Sequence, residues 1–107
     1  MEVTISSIEK YYIVKINGRV DTLTAPKLET DILNLINDDK NIIIDLDDMD
    51  YISSSGLRVL LLTQKKLLAK SKSLKLFGLQ ASIKEIFDIS GFSSIFKIYQ
   101  DFNSATK

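Results

Sequence analysis

The chain contains no cysteine and no histidine. Without cysteine there is no disulfide. Without either residue, structural zinc in its usual forms, Ser-His-Asp and Cys-His catalysis, and an imidazole able to shuttle protons near neutral pH are all missing. Most hydrolytic chemistry is thereby excluded, and no enzymatic activity is expected. Proline occurs once and glycine four times, so no Pro- or Gly-rich linker divides the chain. Neither a Gly-x-x-x-x-Gly-Lys loop nor a Gly-x-Gly-x-x-Gly turn is present, which argues against an intrinsic nucleotide site or other cofactor. No apolar run approaches the ~18 residues of a membrane span, and Met1-Glu2-Val3-Thr4 lacks the basic and apolar regions of a secretory signal. The expectation is a cytoplasmic chain with no membrane span.

What remains is an ordinary globular composition. A chain of 107 residues with 45% apolar content supports one core, and one domain over residues 1–107 is expected. Residues 1–54 carry 5 basic and 11 acidic side chains, whereas residues 55–107 carry 9 basic and 3 acidic. That asymmetry runs along the chain, not necessarily across the surface. A fold that interleaves the halves mixes the charges, so no nucleic-acid partner is expected.

Val3 to Ser7 and Tyr11 to Asn17 read as two strands of an antiparallel hairpin, with Asn17-Gly18 as a turn-prone end to the second. Thr24 is a plausible N-cap for a helix with Pro26 in its first turn. Leu28, Ile32, Leu35 and Ile36 then form one buried stripe, and the helix ends near Asn37. Asn41 to Leu46 is a short continuous apolar run apart from Asn41 and Asp45, the mark of an interior strand covered on both faces. After an acidic loop, Asp47 to Asp50, leucines at 57, 60, 61 and 68 follow a helical period. Leu74 to Phe77 is a further strand closed by Gly78. Ser82 and Glu85 suggest a capping box for a helix ending at Gly91, with Ile83, Ile86 and Phe87 on its inner face. Phe96 to Tyr99 makes a last strand and Asp101 to Thr106 a short final helix. The fold class is α/β, a mixed sheet packed with helices in the order ββαβαβαβα. Right-handed crossovers would gather the loops at the carboxyl ends of the strands on one rim, with the Tyr51 to Gly56 loop among them.

That loop carries Ser53, Ser54 and Ser55 directly before a leucine-periodic helix. A serine there can cap the helix, which explains one of the three. A phosphate at such a position meets free backbone N–H groups and the positive end of the helix dipole, so a charge could be added without unfolding the chain. Asp21, Asp45, Asp47, Asp48 and Asp50 are numerous enough to raise the question of a hard cation. They lie in separate turns and a strand, without calcium-loop spacing, and no metal is expected. Phe87, Phe92 and Phe96 read as core. Ser7 to Lys10 and Ser94 to Lys97 match Ser-x-x-Lys by chance, lacking companion motifs.

The segment from Ile42 to Leu61, with its buried strand, acidic turn, Ile52-Ser53-Ser54-Ser55-Gly56-Leu57 step and leucine-rich helix, resembles the signature of the STAS family. The family's best-known members are bacterial anti-sigma factor antagonists. Gly18-Arg19-Val20-Asp21 is similar to the family's Gly-x-hydrophobic-Asp turn, and Ile86 to Phe92 to its third-helix ending. The resemblance implies a phospho-switch protein-binding module without enzymatic activity. Its partners would be an anti-sigma factor serine kinase, bound when the module is unphosphorylated, and a serine phosphatase. It places the phosphoacceptor on Ser54 and a partner-binding rim on Asp21, Ser53, Ser54, Ser55, Gly56 and Arg58. It also sets the Asp21 turn beside the serine loop, where the carboxylate could bond loop amides or hydroxyls. The sequence departs from the antagonists at Ser53, where they usually carry aspartate. A second reading therefore stands beside the first: a STAS docking subunit of a lipid-transport or other signalling complex, without a phosphorylation cycle.

Overall fold

The computed structural model describes residues 1–107 and consists of one mixed sheet with helices on both faces. The chain opens with an antiparallel hairpin of β1 (Glu2–Ile8) and β2 (Tyr11–Val20). There follow α1 (Ala25–Ile36), β3 (Asn41–Asp45), β4 (Met49–Ile52), α2 (Ser54–Ala69), β5 (Leu74–Phe77), α3 (Ala81–Ser90), a 3-10 turn at Phe92–Ser94, β6 (Lys97–Tyr99) and α4 (Phe102–Thr106). The strands lie in the order β1-β2-β3-β5-β6, and every pairing except β1 with β2 is parallel.

β3 is the interior strand expected from its isoleucines. Ile42 and Ile44 point into the larger core with Val14, Ile16, Leu28, Ile32, Leu60, Leu76 and Phe87. Ile43, between them, points to the opposite face and packs with Phe77 and Ala105 under α4. Alternation along a strand sends successive side chains to opposite faces, so both faces must be dry for the run to be unbroken. α1 buries Ala25, Leu28, Ile32 and Ile36, with Leu35 at the edge of the core. Phe87, Phe92 and Phe96 cluster, with ring centroids 5.9 to 6.2 Å apart.

The structure corrects the sequence reading in four places. The acidic loop is partly a strand: β4 gives the order ββαββαβαβα, with Met49 and Ile52 buried and Asp50 and Tyr51 exposed. Asn17-Gly18 does not end β2. Gly18 takes a φ of +94°, and the strand continues to Val20, beyond the reach of β3. β4 fills the vacated position there, pairing Gly18 with Met49 and Val20 with Ile52 across a register shift. In α2 the buried residues are Gly56, Leu57, Val59, Leu60, Thr63 and Leu67, while Leu68 is 62% exposed. The stripe turns inward through Leu67 because the face of α2 set against α1 and the sheet advances by three and then four residues from Leu60, through Thr63. The capping box at Ser82 does not form, because α3 begins two residues too early, with Gln80 at its N-cap. The Gln80 side chain instead donates to the carbonyl of Asp47 at 3.0 Å.

The phase of α2 is open to a direct test. Leu67→Ala should lower the unfolding free energy by about 2–5 kcal/mol, the usual cost of a leucine-sized core cavity, whereas Leu68→Ala should stay within about 0.5 kcal/mol. Urea denaturation followed by circular dichroism reads both. Equal losses at the two positions would place the stripe wrongly.

Candidate functional site

β2 and β4 run parallel and end side by side at Val20 and Ile52, so the segments that follow them emerge on the same rim. The backbone N–H of Ser53 donates to the carbonyl of Val20 at 2.9 Å, which ties the two exits together. The expected loop from Tyr51 to Gly56 shrinks to Ser53 alone, since Tyr51 and Ile52 complete β4 and Ser54 already begins α2.

The three serines have separate surroundings. Ser53 is the N-cap, in extended conformation, and its hydroxyl accepts the backbone N–H of Gly56 at 3.4 Å. Its carbonyl accepts the N–H of Leu57 at 3.0 Å. Ser55 is half-buried, with its hydroxyl 3.5 Å from that of Thr22 in the turn after β2. Ser54 is exposed. The capping role found in the sequence belongs to Ser53, which leaves the Ser54 hydroxyl free.

Gly56 is where the helix meets the sheet. A Cβ at this position would lie 2.7 Å from Cγ1 of Ile52 and 2.7 Å from Cγ1 of Val20, inside any normal contact distance. The first turn of α2 therefore rests directly on the ends of β2 and β4, and Leu57, Val59 and Leu60 continue the burial. Arg58 points outward and is exposed. It borders a shallow groove of about 410 Å³ between the starts of α1 and α2, together with Thr22, Glu29 and Ser55.

Asp21 stands beside this site but does not bond to the serines. Its Oδ1 accepts the backbone N–H groups of Leu23 at 3.0 Å and Thr24 at 3.1 Å, and its Oδ2 accepts Arg19 Nε at 3.2 Å. The expected contact between this carboxylate and the serine loop is thus replaced by an Asx-type turn, because the amides two and three residues on are nearer its reach. Thr24 completes the turn, accepting the N–H of Asp21 at 2.8 Å and donating to the carbonyl of Arg19 at 3.1 Å. It is thus the N-cap residue of α1 by position without capping the helix through its side chain. The Thr24 amide, above all, holds the Asp21 carboxyl below the usual carboxylate range.

Three residues that the sequence reading left unassigned complete the rim. Leu23, in the tip of the Asp21 turn, is 88% exposed. Arg19 lies over the ring of Tyr51, 4.0 Å from its centroid. A leucine set between two threonines and off any helical stripe was the available signal for the first; nothing local could have paired the other two. The remaining acids are dispersed. Asp48 pairs with Lys15 at 3.0 Å and Asp45 accepts the N–H of Asp47 at 2.9 Å. Burial, then the neighbouring Asp45 charge, pushes the Asp47 carboxyl up. No three acidic side chains converge in a metal-holding group.

Two predictions follow from this geometry. Gly56→Ala should lower stability by about 1–2 kcal/mol: overpacking against two branched side chains costs about 1–3, and the gain in helix propensity offsets up to about 1. A midpoint in urea unchanged from the parent would contradict the contact. Asp21→Asn should alter the acid limb of stability. A carboxyl depressed in the folded state contributes stability above its unfolded pKa of about 3.9, and that contribution disappears as pH falls through the folded value. The melting-temperature gap between parent and variant should therefore be largest near pH 6 and shrink below pH ~4. A gap constant with pH would show that the charge is immaterial.

The family model that matches this chain is that of the STAS domain, over residues 2–105. BtrV of Bordetella bronchiseptica, described as an anti-sigma factor antagonist, is 36% identical over 99 residues, covering 92% of this chain and 85% of that protein. Among solved structures, an anti-sigma factor antagonist from Mycobacterium paratuberculosis superposes with a TM-score of 0.90 at 24% identity, covering 98% of this chain and 90% of the other. The Bacillus cell-fate determinant SpoIIAA in its phosphorylated form superposes with a TM-score of 0.73 at 16% identity, covering 94% and 93%. The Ser-Gly-Leu step at the start of α2, the parallel exits of β2 and β4 and the match over almost the whole chain agree: the protein belongs to the STAS domain family.

Proposed function

We propose that this chain is an anti-sigma factor antagonist whose unmodified rim binds a kinase-type anti-sigma factor and whose release follows phosphorylation of Ser54. A serine phosphatase would reset it. The observation that carries this reading is the division of labour among the serines: Ser53 caps α2 and Ser55 meets Thr22, so the exposed Ser54 hydroxyl can be modified without cost to the fold. The likeness to BtrV and to the SpoIIAA structures supports it.

The chemistry is simple on this side. The Ser54 oxygen attacks the γ-phosphorus of the kinase-bound nucleotide, its proton leaves and the nucleoside diphosphate departs. Asp21 is committed to its own turn, and the chain has no histidine, so the base that takes the proton belongs to the kinase. The product carries about −1.5 to −2 charges at neutral pH. The start of a helix accommodates that charge, whereas a docked partner must desolvate or repel it. The partner surface comprises Asp21, Ser53, Ser54, Ser55, Gly56 and Arg58, extended by Leu23 as its exposed apolar anchor.

Phosphorylation of Ser54 should weaken binding to the kinase at least tenfold, about 1.4 kcal/mol, while moving the melting temperature by only a few degrees. Ser54→Ala should bind like the parent and resist modification. Calorimetric titration of both forms against a kinase-type anti-sigma factor from the same organism, with parallel melts, measures this. Equal affinities would favour the docking-subunit reading. Phosphate on Ser53 or Ser55 would keep the switch and move the acceptor.

A further inference from the structure

The chain has two arginines, and both lie at the rim. Arg19 is engaged: its Nε donates to Asp21 at 3.2 Å and its guanidinium stacks 4.0 Å from the centre of the Tyr51 ring. Arg58 is not. It is exposed, and the five ion pairs of the fold, Lys15–Asp48, Arg19–Asp21, Lys27–Asp31, Lys72–Asp39 and Lys84–Asp88, leave it out.

Its position in α2 is informative. Arg58 follows Ser54 by four residues within one helix, so the two side chains share a face with Cβ atoms roughly 5–6 Å apart. Helical side chains lean toward the N-terminus, which carries a long residue at the later position back over the earlier one. Leu57 and Val59 on either side are buried, which fixes the rotation of the helix and keeps Arg58 on the outer face. The other ionisable groups of the surrounding elements are mostly acidic: Glu29 on α1, Asp21 in the turn and Asp50 on β4, with Arg19 already paired. A dianion placed at Ser54 would find one uncommitted cation near it.

We propose that Arg58 is the in-chain partner of phosphorylated Ser54, its guanidinium bonding the phosphate oxygens across one turn of α2. The proposal rests on the reading of Ser54 as acceptor. It gives the switch a second component. In the unmodified chain Arg58 offers its donors to a partner; after modification it is drawn onto the phosphate, so the rim gains a negative charge and loses its free cation together. Guanidinium can bond two phosphate oxygens at once, and an ammonium at this position would hold the group less firmly.

The test places phosphoserine at position 54 during translation, so that no kinase is required. The second ionisation of that phosphate is then followed by 31P NMR between pH 4 and 8 at low ionic strength. An ordinary phosphoserine titrates near pH ~6. In the parent, Arg58 should hold it below that value. In Arg58→Gln it should rise by about half a pH unit or more, since the one cation left at the rim, Arg19, is already paired with Asp21. Arg58→Lys should fall between the two, and Lys65→Gln, a charge removed farther along α2, should match the parent. Identical titrations in the parent and Arg58→Gln overturn the proposal, as does an equal rise in Lys65→Gln, which would make the effect one of diffuse charge. Failure of the kinase to modify Ser54 would sink the acceptor reading and leave this titration unchanged, so the two ideas fail separately.

Discussion

The contact between Gly56 and the side chains of Val20 and Ile52 sets the geometry of the rim. It brings the first turn of α2 directly onto the ends of β2 and β4, and it does so only because position 56 has no Cβ. Once the helix is seated, its rotation is determined by Leu57, Leu60 and Leu67 in the core. Successive residues on a helix are spaced by about 100°, so the serines before Gly56 cannot all face the same way. Ser53 turns to the helix amides, Ser55 to the groove and Ser54 to solvent. The chemistry available at the rim is therefore a consequence of packing one turn below it.

How much of this could be read from the sequence depended on whether a signal was local. The three isoleucines of β3 stated their own burial, since an unbroken apolar run has one sensible strand environment. The α1 stripe was equally plain. β4 was hidden because Met49 sits between Asp48 and Asp50, and two acids flanking one apolar residue look like a turn. Its existence depends on β2 overrunning β3, a long-range fact with no trace in residues 47–52. Leu67 and Leu68 are adjacent leucines of equal propensity. Choosing between them required knowing which side of α2 faces the sheet.

The site divides along the same line. The serine segment was legible because its residue types and order are distinctive. Asp21 was placed correctly beside it but given the wrong bonds, because the competition was between serine hydroxyls in another segment and amides in its own. Local amides win such contests when the chain can turn back on itself within two or three residues, since little extra ordering is needed. What that turn pushes outward is Leu23. A fully exposed leucine contributes nothing to this fold, yet it can bury most of its surface against a partner, with roughly 1.5–3 kcal/mol of hydrophobic stabilisation available.

The energetics also decide where a charge at Ser54 acts. A surface charge in the first turn of a helix changes stability by about 0.3–1 kcal/mol, with a favourable sign for an anion. The residues that seat α2 each contribute more than that by burial alone, at about 1.5–3 kcal/mol for a leucine, and all of them are buried. Ser53 already caps α2 through the Gly56 amide, and a group added at the exposed Ser54 has no alternative packing to favour. With both states of the chain holding the same core and the same cap, a charge at this position has no bistable element to bias within the domain. Its free energy is expressed where the rim meets another molecule, because only there must the phosphate lose water or face a second surface. On the proposed reading, phosphorylation of Ser54 would therefore act on affinity, with the fold serving as the fixed platform that presents the site.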